Sequence, residues 1–437
     1  MHTLLATLRE RIRESYWFIP SAMGLGAFLL AVVSLALEGK VTSSWLSSFG
    51  WVYTRDAEGA RQLLSMIGGS LITVTGVVFS VTLVALTNAS SQFGSRVLRT
   101  FARDTGNKVV LGAFLGTFLY CLLIMRTITG GNDGFVPHFA VLVGIALSMV
   151  SFGLLIYFIH HVISIVQADN VITAISHDLN ATIARMFPSQ LGSPADNLSS
   201  STVSSLLGQP AEVVTAPISG YLESIDDAAL LKCAAKGNLT IEIVCSPGEF
   251  VFCGSKVALI RPPRGPEVRE DLQKAFSIAK ERSYVQDIGF AFQQLVLVAT
   301  RSLSPAINDQ LLAMTCIDRL CESLALIGER QLPCRYRMDE DGNVRIVAPS
   351  FRYTEIVRMA LALLSEVASD SAAVISHILY SIGRTISVVD VPELQIALVS
   401  YAGELHLRAL QSLTTEVDRR TVEGAYRNAI PSLPRVA

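Results

Sequence analysis

Four long apolar runs occupy the first 167 residues, at about 17–37, 63–87, 109–128 and 136–166, and a chain of different rhythm follows them. No charged residue falls between Gln62 and Ser95, and the fourth run carries no Asp, Glu, Lys or Arg. A helix crossing hydrocarbon needs about 20 mostly apolar residues. It must be a helix because no water is there to satisfy its amides. The pattern therefore predicts a transmembrane domain, 1–167, of four spanning helices. The first run is too long for a cleaved signal peptide and lacks a small-x-small site before Glu38-Gly39-Lys40, so it reads as a signal anchor.

Beyond the fourth run the apolar positions Ile165, Ala168, Ile172, Ile175, Leu179, Thr182 and Met186 recur at spacings of three and four, with no Pro or Gly up to Phe187. That heptad stripe predicts an exit helix continuous with span four, roughly 70 Å long at 1.5 Å per residue. The stripe packs either on its own domain or on another copy. Residues 188–210 are rich in Pro, Gly and Ser and close an exit-helix-and-linker segment, 168–210. Then the period shortens. Val213-Val214-Thr215, Gly220-Tyr221-Leu222, Leu239–Val244, Phe250–Phe252 and Val257–Ile260 read as strands of a small β-barrel-like module at 211–262, with a turn at Ser246-Pro247-Gly248-Glu249. The remainder, 263–437, reads as a helical domain: helical from Pro266 to Arg330, a hairpin near 335–347 around Asp341-Gly342-Asn343, then helices at about 352–369, 371–384 and 392–418. The expected fold class is a membrane α-helical domain with four transmembrane helices, plus a cytoplasmic α+β domain combining the β module and a helical bundle.

Composition agrees with the pattern. Charged residues make up 16% of the 437 positions, against about 25% in soluble domains. A net charge of −2 gives no reason to expect a nucleic-acid partner. Basic residues are distributed unevenly about the spans. Arg9, Arg11, Arg13, Arg96, Arg99, Arg103 and Lys108 stand on one side; Lys40, Arg55, Arg61 and Arg126 stand on the other. The positive-inside rule then places both termini of a multi-pass protein in the cytoplasm. The seven cysteines form no Cys-x-x-Cys pair and no zinc spacing, so free thiols in a reducing compartment and no metal or cofactor are expected.

Candidate chemistry concentrates in span two. Ser65, Gly69, Thr73, Gly76, Ser80 and Thr87 share one helical face, with Gly68, Thr75 and Thr82 in a second row beside it. Small residues and hydroxyls serve close helix packing, or border a watery pore when several copies assemble. Gly112 and Gly116 of span three form a G-x-x-x-G packing motif, and Gly144, Ser148 and Ser151 form a packing stripe on span four. Between spans two and three, Phe93, Val97, Leu98 and Phe101 oppose Arg96, Arg99 and Arg103, the pattern of an interfacial amphipathic helix. His160 and His161 fall near the headgroups, as structural groups or as a pH sensor. Arg301, Ser304, Pro305, Asn308 and Asp309 read as a sharp helix–helix corner, with Ser304-Pro305 capping a helix and Arg301 near Asp309 or Asp318. As an anion site this corner lacks a glycine-rich loop.

The stretches Ala216–Tyr221 and Pro247–Val251 with Gly254 resemble half of a lipoyl/biotin-carrier-like barrel, without the hairpin that carries the modified lysine. The run Val84–Val110, with Ala89-Ser90-Ser91-Gln92-Phe93, Arg96-Val97-Leu98-Arg99 and Leu111-Gly112, resembles a bacterial family of predicted membrane proteins, domain-of-unknown-function family 2254. Gln294-Leu295 and Leu303–Asp309 are similar to that family's soluble part, departing from it at Ala306 and Gln310, where glycine and proline are usual. The resemblance implies the architecture and brings no activity. The residues show no nucleophile–base pair and no phosphate loop, so no enzyme is expected. No span buries a mid-membrane charge, which disfavours a coupled transporter. Two readings stand. One is a homo-oligomeric ion channel or pore, lined by span two, in contact with lipid bilayer and ions and regulated by its cytoplasmic domain. The other is a membrane-anchored sensor or scaffold.

Overall fold

The computed structural model describes residues 17–38, 57–93, 104–129, 135–187, 208–339 and 341–430. The amphipathic segment with Arg96, Arg99 and Arg103, and the linker at 188–207, lie outside the described residues. The chain divides into two compact units, Met1–Val171 and Ile172–Ala437.

The first unit holds α1 (Phe18–Glu38), α2 (Ala57–Phe93), α3 (Thr105–Thr127) and α4 (His138–Val166). All four are long and apolar enough to cross a membrane. Only α3 is more than half buried, 56% over its most apolar window against 17–22% for the others, so it is the helix the rest surround. Its glycines explain this. A Cβ on Gly112 would come 2.6 Å from Met23 Sδ and 3.1 Å from Pro20 Cα, and one on Gly116 would come 3.4 Å from the Met23 carbonyl oxygen. The G-x-x-x-G motif thus brings α3 against α1 of the same chain. Polar side chains then tie the bundle. Tyr120, fully buried, donates to the Ala140 carbonyl at 2.9 Å and lies 3.0 Å from Ser34 Oγ. Thr117 and Ser151 share a hydrogen bond of 3.1 Å. Glu38, at the end of α1, accepts from the amides of Phe139 at 3.0 Å and Ala140 at 3.2 Å. Its charge there satisfies donors that the start of α4 leaves unpaired and complements the helix dipole.

The expected continuous exit helix is interrupted. Gln167 has extended backbone, φ −63° and ψ 129°, between α4 and α5 (Ala168–Met186). In the second unit Ile172, Ile175, Leu179, Thr182, Ile183 and Phe187 are all buried. Thr182 donates to the Tyr284 carbonyl, Ser323 donates to Asn180 Oδ1 at 2.9 Å, and Arg330 donates to the Phe187 carbonyl at 3.0 Å. Of the two roles open to the heptad stripe, its part from Ile172 onward packs on its own domain.

The second unit contains β1 (Glu212–Thr215), β2 (Gly220–Ile225), α6 (Asp227–Gly237), β3 (Thr240–Ile243), β4 (Phe250–Val251), β5 (Lys256–Arg261), α7 (Pro266–Gln273) and β6 (Phe276–Ala279). There follow α8 (Ile288–Ser302), α9 (Gln310–Gly328), β7 (Tyr336–Met338), β8 (Val344–Val347), α10 (Tyr353–Val367), α11 (Ala372–Val388), α12 (Pro392–Ser412) and α13 (Glu416–Ala429). One sheet has the order β1-β5-β3-β8-β7 and the other β4-β2-β6. Every described pairing is antiparallel except β3 with β8. The hairpin expected inside the helical domain therefore belongs to the β module: Ile241 and Ile346, both fully buried, pair across the parallel ladder in a common core. Strand β6 corrects the helical reading of Pro266–Arg330, since α7 stops at Gln273 and Phe276 returns to pair with Ile225. The last expected helix is two, because Leu413 has extended backbone and Thr415 caps α13.

Candidate functional site

The hydroxyl rows of α2 are separated cleanly by the packing of the first unit. Gly68, Thr75 and Thr82 are buried, and a Cβ on Gly68 would meet the Phe118 ring at 3.6 Å. Ser65, Gly69, Thr73, Gly76, Ser80 and Thr87 are all exposed, and a Cβ on Gly69 or Gly76 would find nothing within 4 Å. The row of Gly68, Thr75 and Thr82 packs against the chain's own bundle, while the row from Ser65 to Thr87 is turned away from it. Along that exposed row the hydroxyls bond to carbonyls four residues back in the same helix: Thr73 to Gly69 at 2.9 Å, Ser80 to Gly76 at 2.9 Å and Thr87 to Leu83 at 2.8 Å. These three donors are thus satisfied locally, and their oxygens keep lone pairs for other partners. Such a face can meet lipid, another helix or water.

At the opposite chain end of the bundle helices, His161 lies 2.9 Å from Asp104 Oδ2. Asp104 is also the N-cap of α3, accepting from Asn107 N at 2.9 Å. Tyr157 stacks on the His161 ring at 5.1 Å. Gly106 makes room for both, since a Cβ there would come 2.9 Å from His161 Nε2. His161 therefore has a partner that joins α4 to the first turn of α3, and Lys108 and Asn107 are buried in the next positions of that turn. Neither the capping role of Asp104 nor its pairing with His161 was read from the sequence. His160 is exposed.

The corner at 301–309 lies on the surface with its cap displaced from the expected position. Ser304 and Pro305 form a turn, in which Ser304 accepts from the amides of Ile307 and Asn308. The N-cap of α9 is Asp309, which accepts from Leu312 N at 3.0 Å. Asn308 takes the left-handed conformation at φ 50°, the conformation that asparagine tolerates best after glycine. Asp318 is bonded by His377 and Ser381, each at 2.9 Å.

A second knot went unread in the sequence. Asp287, almost fully buried, caps α8 by accepting from Phe290 N at 2.8 Å and pairs with Arg282 at 2.7 Å. Gly248, at φ 92°, leaves the space its carboxylate fills. The turn signal of Pro247-Gly248 was visible, but its reason for being glycine lies in this distant contact. Elsewhere, the amides of Arg264 and Gly265 hold the Glu212 carboxyl below its ordinary range, and the Arg345 guanidinium does the same for Asp339. Burial pushes the thiols of Cys245, Cys316 and Cys321 up to about 12, which leaves them inert at neutral pH. Among the described residues no group of His, Cys, Asp and Glu is placed to hold a metal ion.

The family profile described as "Predicted membrane protein (DUF2254)" matches residues 13–383. The Uncharacterized protein Rv1290c of Mycobacterium tuberculosis (strain ATCC 25618 / H37Rv) is 29% identical over 98% of this chain and 82% of its own length. The Uncharacterized protein Mb1321c of Mycobacterium bovis shows the same identity and coverage. No solved structure matches the chain. With four apolar helices long enough to span a bilayer and a profile match over most of its length, the chain belongs to the DUF2254 family of membrane proteins.

Proposed function

We propose that the protein is a homo-oligomeric pore of the bacterial cytoplasmic membrane, with both termini in the cytoplasm, lined by the exposed row of α2 and regulated by its second unit. In this reading it passes ions and catalyses no reaction. The observation that carries it is the division of α2 into two small-residue rows, of which only one is used within the chain. The unused row has six members, Ser65 to Thr87, with hydroxyls at four positions along the helix and no charge. A ring of copies placing this face inward would line a lumen with hydroxyl oxygens and bare glycine backbone, both of which replace part of an ion's hydration.

A second reading, the membrane-anchored sensor or scaffold, draws on the same hydroxyls. Because Thr73, Ser80 and Thr87 donate to their own helix, the face is tolerable in lipid without any assembly. Single-channel recording in planar bilayers separates the two. The pore predicts discrete currents that Thr73→Trp and Ser80→Trp block or reduce severalfold. Silence from folded wild-type protein across voltage, pH and tension would leave the scaffold in place.

A further inference from the structure

A cavity of about 630 Å³ opens in the second unit between α9, α11 and α13, and its polar lining is one-sided. Ser376, His377, Arg384, Ser387 and Asn428 face it, together with Tyr380, and no carboxylate does. Ser376, Tyr380, Arg384, Ser387 and Asn428 can each donate a hydrogen bond. Arg384 is exposed, lies 5.9 Å from the centre of the Tyr380 ring, and has no acidic partner among the described residues. Its fork of N–H groups is therefore free for a planar or tetrahedral oxyanion. Ser376 Oγ is buried and has no hydrogen-bond partner among the described residues. A buried hydroxyl without a partner calls for explanation, and a ligand in the cavity it lines supplies one.

His377 adds a directional argument. Its Nε2 lies 2.9 Å from Asp318 Oδ1, and the same oxygen accepts from Ser381 at 2.9 Å. A carboxylate accepts only, so Nε2 carries the hydrogen and Nδ1 is the nitrogen left for other partners. At the cavity wall α11 and α13 approach closely at Gly383, where a Cβ would come 2.7 Å from the Ala429 carbonyl oxygen. Its size matches pockets for small organic ligands, about 300–1,000 Å³, and exceeds what a bare anion fills. Met314 and Ala425 supply apolar wall for the remainder.

We propose that this cavity binds the oxyanion group, phosphate or carboxylate, of a small soluble molecule, with Arg384 as the principal contact and Asn428 and Ser376 completing the donor set. The assignment is independent of whether the membrane unit conducts.

The test is isothermal titration of the full-length protein in maltoside micelles with sodium phosphate, at ionic strength held constant with chloride. Saturable binding is expected, weakened about tenfold or more by Arg384→Gln, as for loss of a charge-assisted hydrogen bond. Ala425→Trp, which fills the cavity without removing a donor, should abolish it. Arg420→Gln, an exposed residue of α13 paired with Glu416, should change nothing. A parallel titration adds phosphatidic acid to the micelles. Binding of that lipid with no binding of free phosphate would overturn the soluble ligand. Absence of saturable binding to either, or phosphate binding unaltered by both Arg384→Gln and Ala425→Trp, would overturn the site.

Discussion

Asp339 shows how much one side chain decides and how little of that a local motif declares. The sequence marks a hairpin at Asp341-Gly342-Asn343, and the turn is there, with Gly342 at φ 79°. What holds it is Asp339, just outside the motif. Its carboxylate accepts from the amides of Asn343 at 2.8 Å and Asp341 at 3.1 Å and from Arg345 Nε at 2.6 Å. Arg345 in turn donates to Asn238 Oδ1 at 2.6 Å, joining the hairpin to the end of α6. The guanidinium and the amides favour the charged form, so the folded carboxyl lies below its unfolded range. A group with a lowered folded pKa adds stability above the unfolded value, about 3.9 for Asp, and loses it as pH falls through the folded value. Asp339→Asn is therefore expected to lower the unfolding temperature of the full-length protein at neutral pH. It should also flatten the decline below about pH 4, as followed by thermal melts from pH 7 to pH 3. A variant whose acid decline parallels that of the wild type would show that Asp339 is not linked to folding. The same distinction holds at Asp287 and Gly248. Composition suggests a turn and a cap, but only the fold shows that they occupy one another's space.

At the scale of elements, the spans were legible because hydrocarbon tolerates few alternatives, whereas their neighbours were not. Gly112 and Gly116 announce a close approach without saying to what; the answer is Pro20 and Met23 of α1. Gly68 and Gly69 are adjacent in sequence and differ by one step around the helix, yet one is buried and the other exposed. Strand β6 escaped because Phe276–Ala279 is short and follows a charged helix, so no alternating pattern could accumulate. The parallel pairing of β3 with β8 is a long-range choice that no local pattern carries. A paired substitution tests this account of the glycines. Gly112→Leu places a side chain against the backbone of α1 and is expected to destabilise the first unit by about 1–3 kcal/mol, the usual cost of overpacking. Gly69→Leu meets nothing within the chain and should leave the melting temperature of the dispersed protein unchanged. Thermal unfolding in detergent, monitored by loss of monodisperse protein, distinguishes them. Equal destabilisation by both would mean that the exposed row of α2 is covered within a single chain.

For the whole molecule, the division of labour between the two units turns on α5. By sequence alone this segment continues span four and leads into a linker, and its apolar stripe could pack either on its own domain or on another copy. In the structure its residues from Ile172 onward contribute to the second unit as core. Ile172, Leu179, Ile183 and Phe187 are each fully buried, Phe187 packs edge-on against Phe351 at 5.6 Å, and Arg330 seals the helix end by donating to the Phe187 carbonyl. Deleting a large buried aliphatic side chain costs about 2–5 kcal/mol, and a whole domain is stable by only about 5–15 kcal/mol. Removing four such groups together therefore exceeds or exhausts the margin. A fragment beginning at Gln167 should fold as a soluble, cooperatively melting protein, because it retains the helix that fills those sockets. A fragment beginning at Gly208 keeps every strand and helices α6 to α13 but leaves an open apolar trough, and is expected to aggregate or to melt without a cooperative transition. Circular dichroism melts and size-exclusion chromatography of the two fragments decide the matter. If the shorter fragment were as stable as the longer, α5 would be a connector after all. The first helix after the membrane spans is thereby tied into the core of the second unit, so that a displacement of α5 must be felt there as a change in packing.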